Sequence, residues 1–417
     1  MLFRNLLAAC TAGAVSAAPL TTRSADFTWG SDKVRGVNIG GWLLLEPWIT
    51  PSIFQTQDQS LGIVDEKTLT EKLGSDRAYQ ILKSHWDSWA TLADFQKIAK
   101  AGFNTVRIPI GYWAYSLDSG ESYTQGAAPY LDNAIDWARQ TGLKVMIDLH
   151  GAPLSQNGFD NSGQRTSNPQ WQQGDSVAQT LAVLNTISTK YAAAQYQDVV
   201  SSIQLLNEPL GSKLNFDGIK DFYKKGYEQV RQVSDKTAVV LHDTFVAPSS
   251  FNGFLSQSDN GAHNVVVDHH EYQVFNFDTI KLQPWEHRQL VCNNVASYSQ
   301  GSDKWVIVGE WTAAMTDCAP ALNGYGIGAR YDNTYPGSSF VGSCAGKNNI
   351  LEWTEEFKSD TKGYIEAQLS AFESNTQGWI FWNFKTESAH EWDAFALLDN
   401  GVFPQPLTDR SFGSICS

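Results

Sequence analysis

The sequence predicts a single-domain α/β fold, a (β/α)8 TIM barrel. Three observations predict it. Short β-branched apolar runs alternate with longer stretches of helical period, the runs number eight, and no Pro/Ser-rich linker, low-complexity tract or short repeat divides the chain. A continuous apolar run is buried on both faces, which calls for a parallel sheet covered by helices. Eight such units imply closure, and a chain of 417 residues suits one barrel. An open doubly wound sheet is the competing arrangement.

In chain order, KVRGVNI (33–39) opens the sheet and carries Asn38 near its end. NTVRIPI (104–110) follows the helical stretch TLADFQKIAKAG (91–102) and carries Arg107. KVMIDLH (144–150) follows APYLDNAIDWARQTG (128–142) and ends on His150. SIQLLNE (202–208) follows VAQTLAVLNTISTKY (177–191) and ends on Asn207 and Glu208. TAVVLHD (237–243), after FYKKGYEQVRQVS (222–234), ends on His242 and Asp243. NVVVDHH (264–270) and KWVIVGE (304–310) end on His270 and Glu310. GWIFWNF (378–384), after YIEAQLSAFES (364–374), carries Trp382.

The flanks and the composition narrow the function. Arg4, the uncharged apolar stretch 6–15 and the small residues Val15-Ser16-Ala17 read as a signal peptide over 1–17, so the mature chain is expected to be secreted, extracellular or in the cell wall. Residues 18–32 form an N-terminal segment, a candidate short pro-segment, and 33–417 the catalytic domain. No later stretch is long and apolar enough to span a membrane. The net charge of −14 argues against nucleic acid or an anionic membrane as partner and suits a neutral substrate. Cys292, Cys318, Cys344 and Cys416 remain after cleavage, an even count fit for two disulfides with three pairings open. No Asn-x-Ser/Thr sequon occurs. A monomer is expected.

Barrel enzymes place their chemistry where strands end. Glu208 and Glu310 each close an otherwise apolar run, the fourth and the seventh, whose ends face each other across a barrel mouth. A solvated rim charge explains either one alone. Two carboxylates so placed suit glycoside cleavage, one protonating the leaving oxygen while the other attacks the anomeric carbon or activates water. Arg107 is expected to keep Glu310 ionised as a nucleophile, and Glu208 to have its pKa raised so that it arrives protonated. Asn207 is a candidate for the sugar 2-hydroxyl, and His150, His270 and Tyr272 for other hydroxyls or for fixing the nucleophile. Aromatic residues make up 12% of the chain, and sugar rings pack on such faces. Trp382, Phe159 and Phe275 are the expected contacts; Trp42, Trp48, Trp113 and Trp311 also flank strand ends.

Taken together, RGVNIGGWLLLEPWITPS, VRIPIGYWA, DLHGAPLSQNGFDNSG, LLNEPLG, HHEYQVF, VGEWTAAMTDCA, FKTES and GVFPQPLTDR resemble glycoside hydrolase family 5, and within it the fungal exo-β-1,3-glucanases. The resemblance runs from about Val34 to the C-terminus. It implies a (β/α)8 barrel and retaining hydrolysis, with Glu208 matching the acid/base and Glu310 the nucleophile. It puts substrate contacts on Glu46, Arg107, His150, Asp160, Asn207, His270, Tyr272, Asn323 and Trp382, and a pair of rings at the pocket entrance on Phe159 and Phe275. It pairs Cys292 with Cys416 and Cys318 with Cys344. Three positions depart from the family pattern: Leu154 replaces a usual Gly, Trp48 stands where Tyr is also found, and Phe384 where Trp is common. Leu154 puts the detail of the neighbouring subsites in question, because Gly often marks a backbone that other residues resist.

The expected activity is release of glucose from the non-reducing end of β-1,3-glucan through a covalent glucosyl-enzyme, with some transglycosylation. The alternatives are a related β-glycosidase, acting on flavonoid diglycosides or internally on β-1,4-glucan, and a silent glucan-binding wall protein. No cofactor and no metal are expected. The chain lacks an H-E-x-x-H stretch and a Gly-x-Ser-x-Gly elbow, and GYGIGA (324–329) follows a Cys-bearing loop and not a strand.

Overall fold

The computed structural model describes residues 27–413 together with 415 and 416. The expected signal peptide therefore lies outside the described residues, as does most of the segment that follows it. Eight parallel strands close into a barrel in chain order: β1 (Val34–Asn38), β2 (Thr105–Gly111), β3 (Lys144–Gly151), β4 (Val200–Gln204), β5 (Ala238–His242), β6 (Val265–Glu271), β7 (Trp305–Trp311) and β8 (Gly378–Phe381). β8 pairs back onto β1 with Val34 opposite Gly378, so the sheet has no edge.

Helices α1 (Pro51–Gln55), α2 (Glu66–Leu73), α3 (Ser75–Trp89) and α4 (Leu92–Lys100) lie between β1 and β2. They are followed by α5 (Ala128–Thr141), α6 (Ser176–Tyr191), α7 (Phe216–Val233), α8 (Pro284–Asn294), α9 (Glu355–Asn375) and α10 (Ala394–Asp399). Each of the five helical stretches read from the sequence is present, but α7 begins six residues and α9 nine residues before the periodic stretch. Caps explain both starts: Asn215 accepts from Gly218 N and Thr354 Oγ1 from Phe357 N, setting the helix ends ahead of the apolar faces. Between β5 and β6 a 3₁₀ turn (Pro248–Phe251) stands in place of a helix.

The barrel interior changes character along its axis. At the N-terminal end Val34, Met146, Ala238, Val240, Val266, Ile307 and Ile380 pack into an apolar plug, closed below by Phe27, Trp29 and Trp305. The packed unit thus includes residues ahead of 33. Burial of each large apolar side chain here stabilises by about 1.5–3 kcal/mol. Toward the C-terminal end the interior turns polar, with Asn38, Arg107, Asp148, Gln204 and Asp268 fully buried. Two disulfides, Cys292–Cys416 and Cys318–Cys344, pair as the family resemblance implies. Among the described residues no helix is long and apolar enough to cross a membrane.

Candidate active site

Arg107 organises the polar layer. Its guanidinium has five N–H donors and four of them meet acceptors, Nε on Gln204 (2.8 Å), Nη1 on Asn38 (2.9 Å) and Glu310 (2.8 Å), and Nη2 on Asn207 (2.8 Å), while Nη2 also lies 3.1 Å from Asp148 in an ion pair. The amides are oriented from behind, since Asn38 donates to Gly309 O and Gln204 to Asp268. A buried cation is tolerable only when satisfied in this way. Gly309 is required beside it: a Cβ there would lie 2.1 Å from Asp268 Oδ1, which instead accepts from Gly309 N. This close approach fixes the peptide that delivers Glu310.

Glu208 lies beyond the end of its strand. The apolar run was expected to stay extended to 208, but β4 stops at Gln204, and Glu208 adopts a left-handed backbone (φ 46°). Such a φ is costly for a non-glycine residue, and strain of this kind gathers at functional sites. The turn is held by Gln156, which donates to both His150 O and Asn207 O.

One nitrogen joins the two carboxylates. His270 Nδ1 lies 2.8 Å from Glu208 Oε1 and 3.4 Å from Glu310 Oε2. Those two oxygens are therefore no farther apart than the sum of these lengths, short of the about 6.5–9.5 Å typical of inverting pairs. Glu310 Oε2 also accepts from Tyr272 OH at 2.9 Å. His270 Nε2 stands 3.3 Å from Asp268.

The charge distribution corrects one expectation. Burial raises Glu310, against the opposing pull of His270 and Arg107. Burial also pushes Glu208 upward, but the hydrogen bond and charge of His270, helped by His242 and His150, overcome it and hold Glu208 down at about 2. His270 resists the lowering effect of its own burial because Glu310, Asp268 and Glu208 surround it, and it sits well above the ordinary histidine range. Both directions favour the imidazole over Glu208 as the holder of the proton that the pair shares. Sequence reasoning missed this because it assigned His270 to sugar hydroxyls and left it out of the proton balance.

A cavity of about 530 Å³ opens above these groups, within the size range of small-ligand pockets. Glu46, Phe159, Asp160, Glu208, Tyr272, Phe275, Glu310, Asn323 and Trp382 line it. Arg107, His150, Asn207 and His270 stand behind that lining, buried, with the His150 ring stacked 5.6 Å from Trp382. Trp42, Trp113 and Trp311 are core. Phe159 and Phe275 remain about half exposed at the mouth. Glu46 Oε1 and Asp160 Oδ2 are buried acceptors without a protein donor, as hydroxyl-binding groups would be. Burial raises both acids, Asp160 to about 7.

The sequence reading also missed Asn161, Phe245, Arg330, Tyr335 and Trp392, which line the same cavity. Asn161 and Phe245 were the findable ones, the first adjoining Asp160 and the second following Asp243 by two residues. Arg330, Tyr335 and Trp392 come from long loops whose paths no local pattern gives. Leu154, the departure from Gly, has φ 63° and 40% exposure, so the loop keeps its left-handed turn at the cost of local strain.

Glu208, His242 and His270 bring three possible metal ligands within 4.8 Å of one another. The donor set suits a cation poorly. His270 faces carboxylates with both nitrogens, and His242 Nδ1 already accepts from Thr244 N.

The closed parallel barrel with a carboxylate pair at its C-terminal mouth defines a glycoside hydrolase. Residues 74–332 match the family described as Cellulase (glycosyl hydrolase family 5), and the chain belongs to that family. It is 48% identical to a glucan 1,3-beta-glucosidase of Blumeria graminis over 419 aligned residues, covering 99% of this chain and 97% of that protein. It is 45% identical to a glucan 1,3-beta-glucosidase of Candida oleophila, covering 95% of this chain and 94% of the relative. Among solved structures, rutinosidase from Aspergillus niger superposes with a TM-score of 0.72 at 21% identity, over 91% of this chain and 100% of that one. That likeness bears on the fold alone.

Proposed function

We propose that this chain is a secreted, retaining exo-β-1,3-glucanase that removes glucose from the non-reducing end of β-1,3-glucan. The observation that carries the reading is the pair Glu208 and Glu310, converging on His270 Nδ1 at 2.8 and 3.4 Å. In this reading Glu310 Oε2 attacks the anomeric carbon while Glu208 protonates the departing oxygen. The proton comes from His270 Nδ1, one hydrogen bond behind Glu208. Esterification removes the charge of Glu310, which favours a carboxylate at Glu208, the state needed to activate water in the second step. A sugar hydroxyl taking the place of that water gives transglycosylation.

Glu46, Asp160, Asn323 and Trp382 are assigned to the terminal sugar, Phe159 and Phe275 to the next unit, with His150 and Asn207 as supports behind them. The names of the full-length relatives support the β-1,3 linkage, and a pocket mouth flanked by aromatic rings supports exo action. Residues 1–17 and the two disulfides support export. A time course on dilute laminarin, where water outcompetes sugar acceptors, tests the reading: glucose is expected as the product of cleavage from the first time point, its β-anomer appearing first by NMR. An early ladder of internally cut fragments or an initial α-anomer would overturn it.

A further inference from the structure

We propose that Asn161 is a positioning residue, which holds the outer oxygen of Glu208 as a hydrogen-bond acceptor and so favours the carboxylate over the acid. The inference rests on the acid/base reading of Glu208. Its starting point is one contact, Asn161 Nδ2 to Glu208 Oε2 at 3.1 Å. An amide can present either a donor or an acceptor, and the two would act oppositely on a carboxyl group.

A backbone amide decides which. Phe159 N–H, which can only donate, gives its hydrogen to Asn157 Oδ1 at 2.9 Å. The other end of Asn157 is therefore its NH₂, which donates to Asn161 Oδ1 at 3.0 Å. With its oxygen so occupied, Asn161 turns its own NH₂ toward Glu208. The chain Phe159 N–H, Asn157, Asn161, Glu208 thus carries donor polarity from the main chain to the carboxylate. Asn157 is 2% exposed, which shields the relay from water. The 3₁₀ turn Asp160–Ser162 points Asn161 inward while Ser162 bonds back to Ser155, so the turn is held from behind.

The other groups around Glu208 act on the same equilibrium. His270 donates to Oε1 and adds its positive charge. Glu310, Glu46 and Tyr272 lie on the opposing side. Asn161 differs from all of these in being unable to titrate. Its contribution persists through the cycle, opposing acid catalysis in the first step and supporting base catalysis in the second. Because Phe159 N–H begins the relay, the ring at the pocket mouth and the orientation of Glu208 share one loop.

The test is the alkaline limb of kcat/KM against pH on a laminari-oligosaccharide, which reports loss of the proton that His270 and Glu208 share. Asn161→Leu removes the donor and is expected to move that limb up by about 0.5 to 1 unit. Asn161→Asp, which keeps the shape but brings a like charge, is expected to move it further in the same direction. Far-ultraviolet circular dichroism and the melting temperature establish that each variant folds. If either variant folds and its limb stays in place while kcat/KM falls evenly at all pH values, Asn161 only contacts sugar or supports the loop, and the proposal fails. Glu208→Ala separates the two readings. Loss of the alkaline limb in that variant supports delivery of the shared proton through Glu208, whereas persistence of the limb overturns the acid/base assignment itself.

Discussion

Replacing Tyr272 by Phe tests how the proposed nucleophile is kept ready. Glu310 has two strong donors, Arg107 on Oε1 at 2.8 Å and the Tyr272 hydroxyl on Oε2 at 2.9 Å. His270 Nδ1 faces Oε2 from 3.4 Å, and Glu208 adds a nearby negative charge. Burial already raises Glu310, so each donor lost favours its protonated, unreactive form. A hydrogen bond to a charged group is worth about 1.5–3 kcal/mol, which corresponds to about one to two pH units. His270 can close part of the gap on Oε2, so the lower end is expected, an upward shift of about one unit in the acid limb of kcat/KM. The ring itself keeps its packing on Phe275 and Trp392, at centroid distances of 5.5 and 5.4 Å, so the fold should survive. The assay is kcat/KM against pH with 4-nitrophenyl β-glucoside, whose leaving group needs no proton, leaving the acid limb to report Glu310. An unmoved acid limb, with activity lowered equally at every pH, would refute this account of Tyr272.

Three further outcomes are expected. Glu208→Ala should lose about 10²- to 10⁴-fold on laminarin, yet retain glycosylation by aryl glucosides with good leaving groups and regain turnover with azide; no rescue by azide would remove Glu208 as the acid/base. Replacing Cys318 and Cys344 together by Ser opens a loop of 26 residues and should cost about 3.5 kcal/mol in the chain-entropy treatment, read by denaturant titration; an unchanged midpoint would show that the loop is ordered without its bridge. The third concerns stability and pH. Burial holds Glu66, Asp160 and Glu391 up at about 7, so their stability contribution falls as pH rises from about 4 to 7. Burial pushes His85, His242 and His287 down to about 4, which acts oppositely over nearly the same range. Above pH 6.5 neither set supports a further rise, while His269, held up at about 10 by Asp243 and Glu271 against its own burial, loses about 1.4 kcal/mol of stability per unit. Calorimetry should give a lower Tm at pH 8.5 than at pH 6, and a higher one would contradict the assignment of His269.

Much of the fold was legible because burial writes itself locally. A strand covered on both faces must be apolar along its length, so all eight strands appeared as continuous runs. The helices read less evenly. The region 66–89 was not recognised as α2 and α3, and PWEHRQLVCNN (284–294) forms α8 with only His287 and Val291 buried, too thin a stripe to stand out by period. Glu208 and Glu310 were legible for a different reason. A carboxylate at the end of an apolar run is expensive unless it is used, and both face the pocket.

The sequence by itself determined the barrel and the family, and it pointed to two carboxylates at the ends of apolar runs, since each depends on residue type and order along the chain. Only the tertiary structure decided which groups surround His270 and which way Asn161 presents its amide. His270 is held protonated by the negative charge of three carboxylates on three different strands or loops, Glu208, Asp268 and Glu310. Coulombic coupling depends on distances through space, and these groups, as far as 102 residues apart in the chain, come together only when the sheet closes.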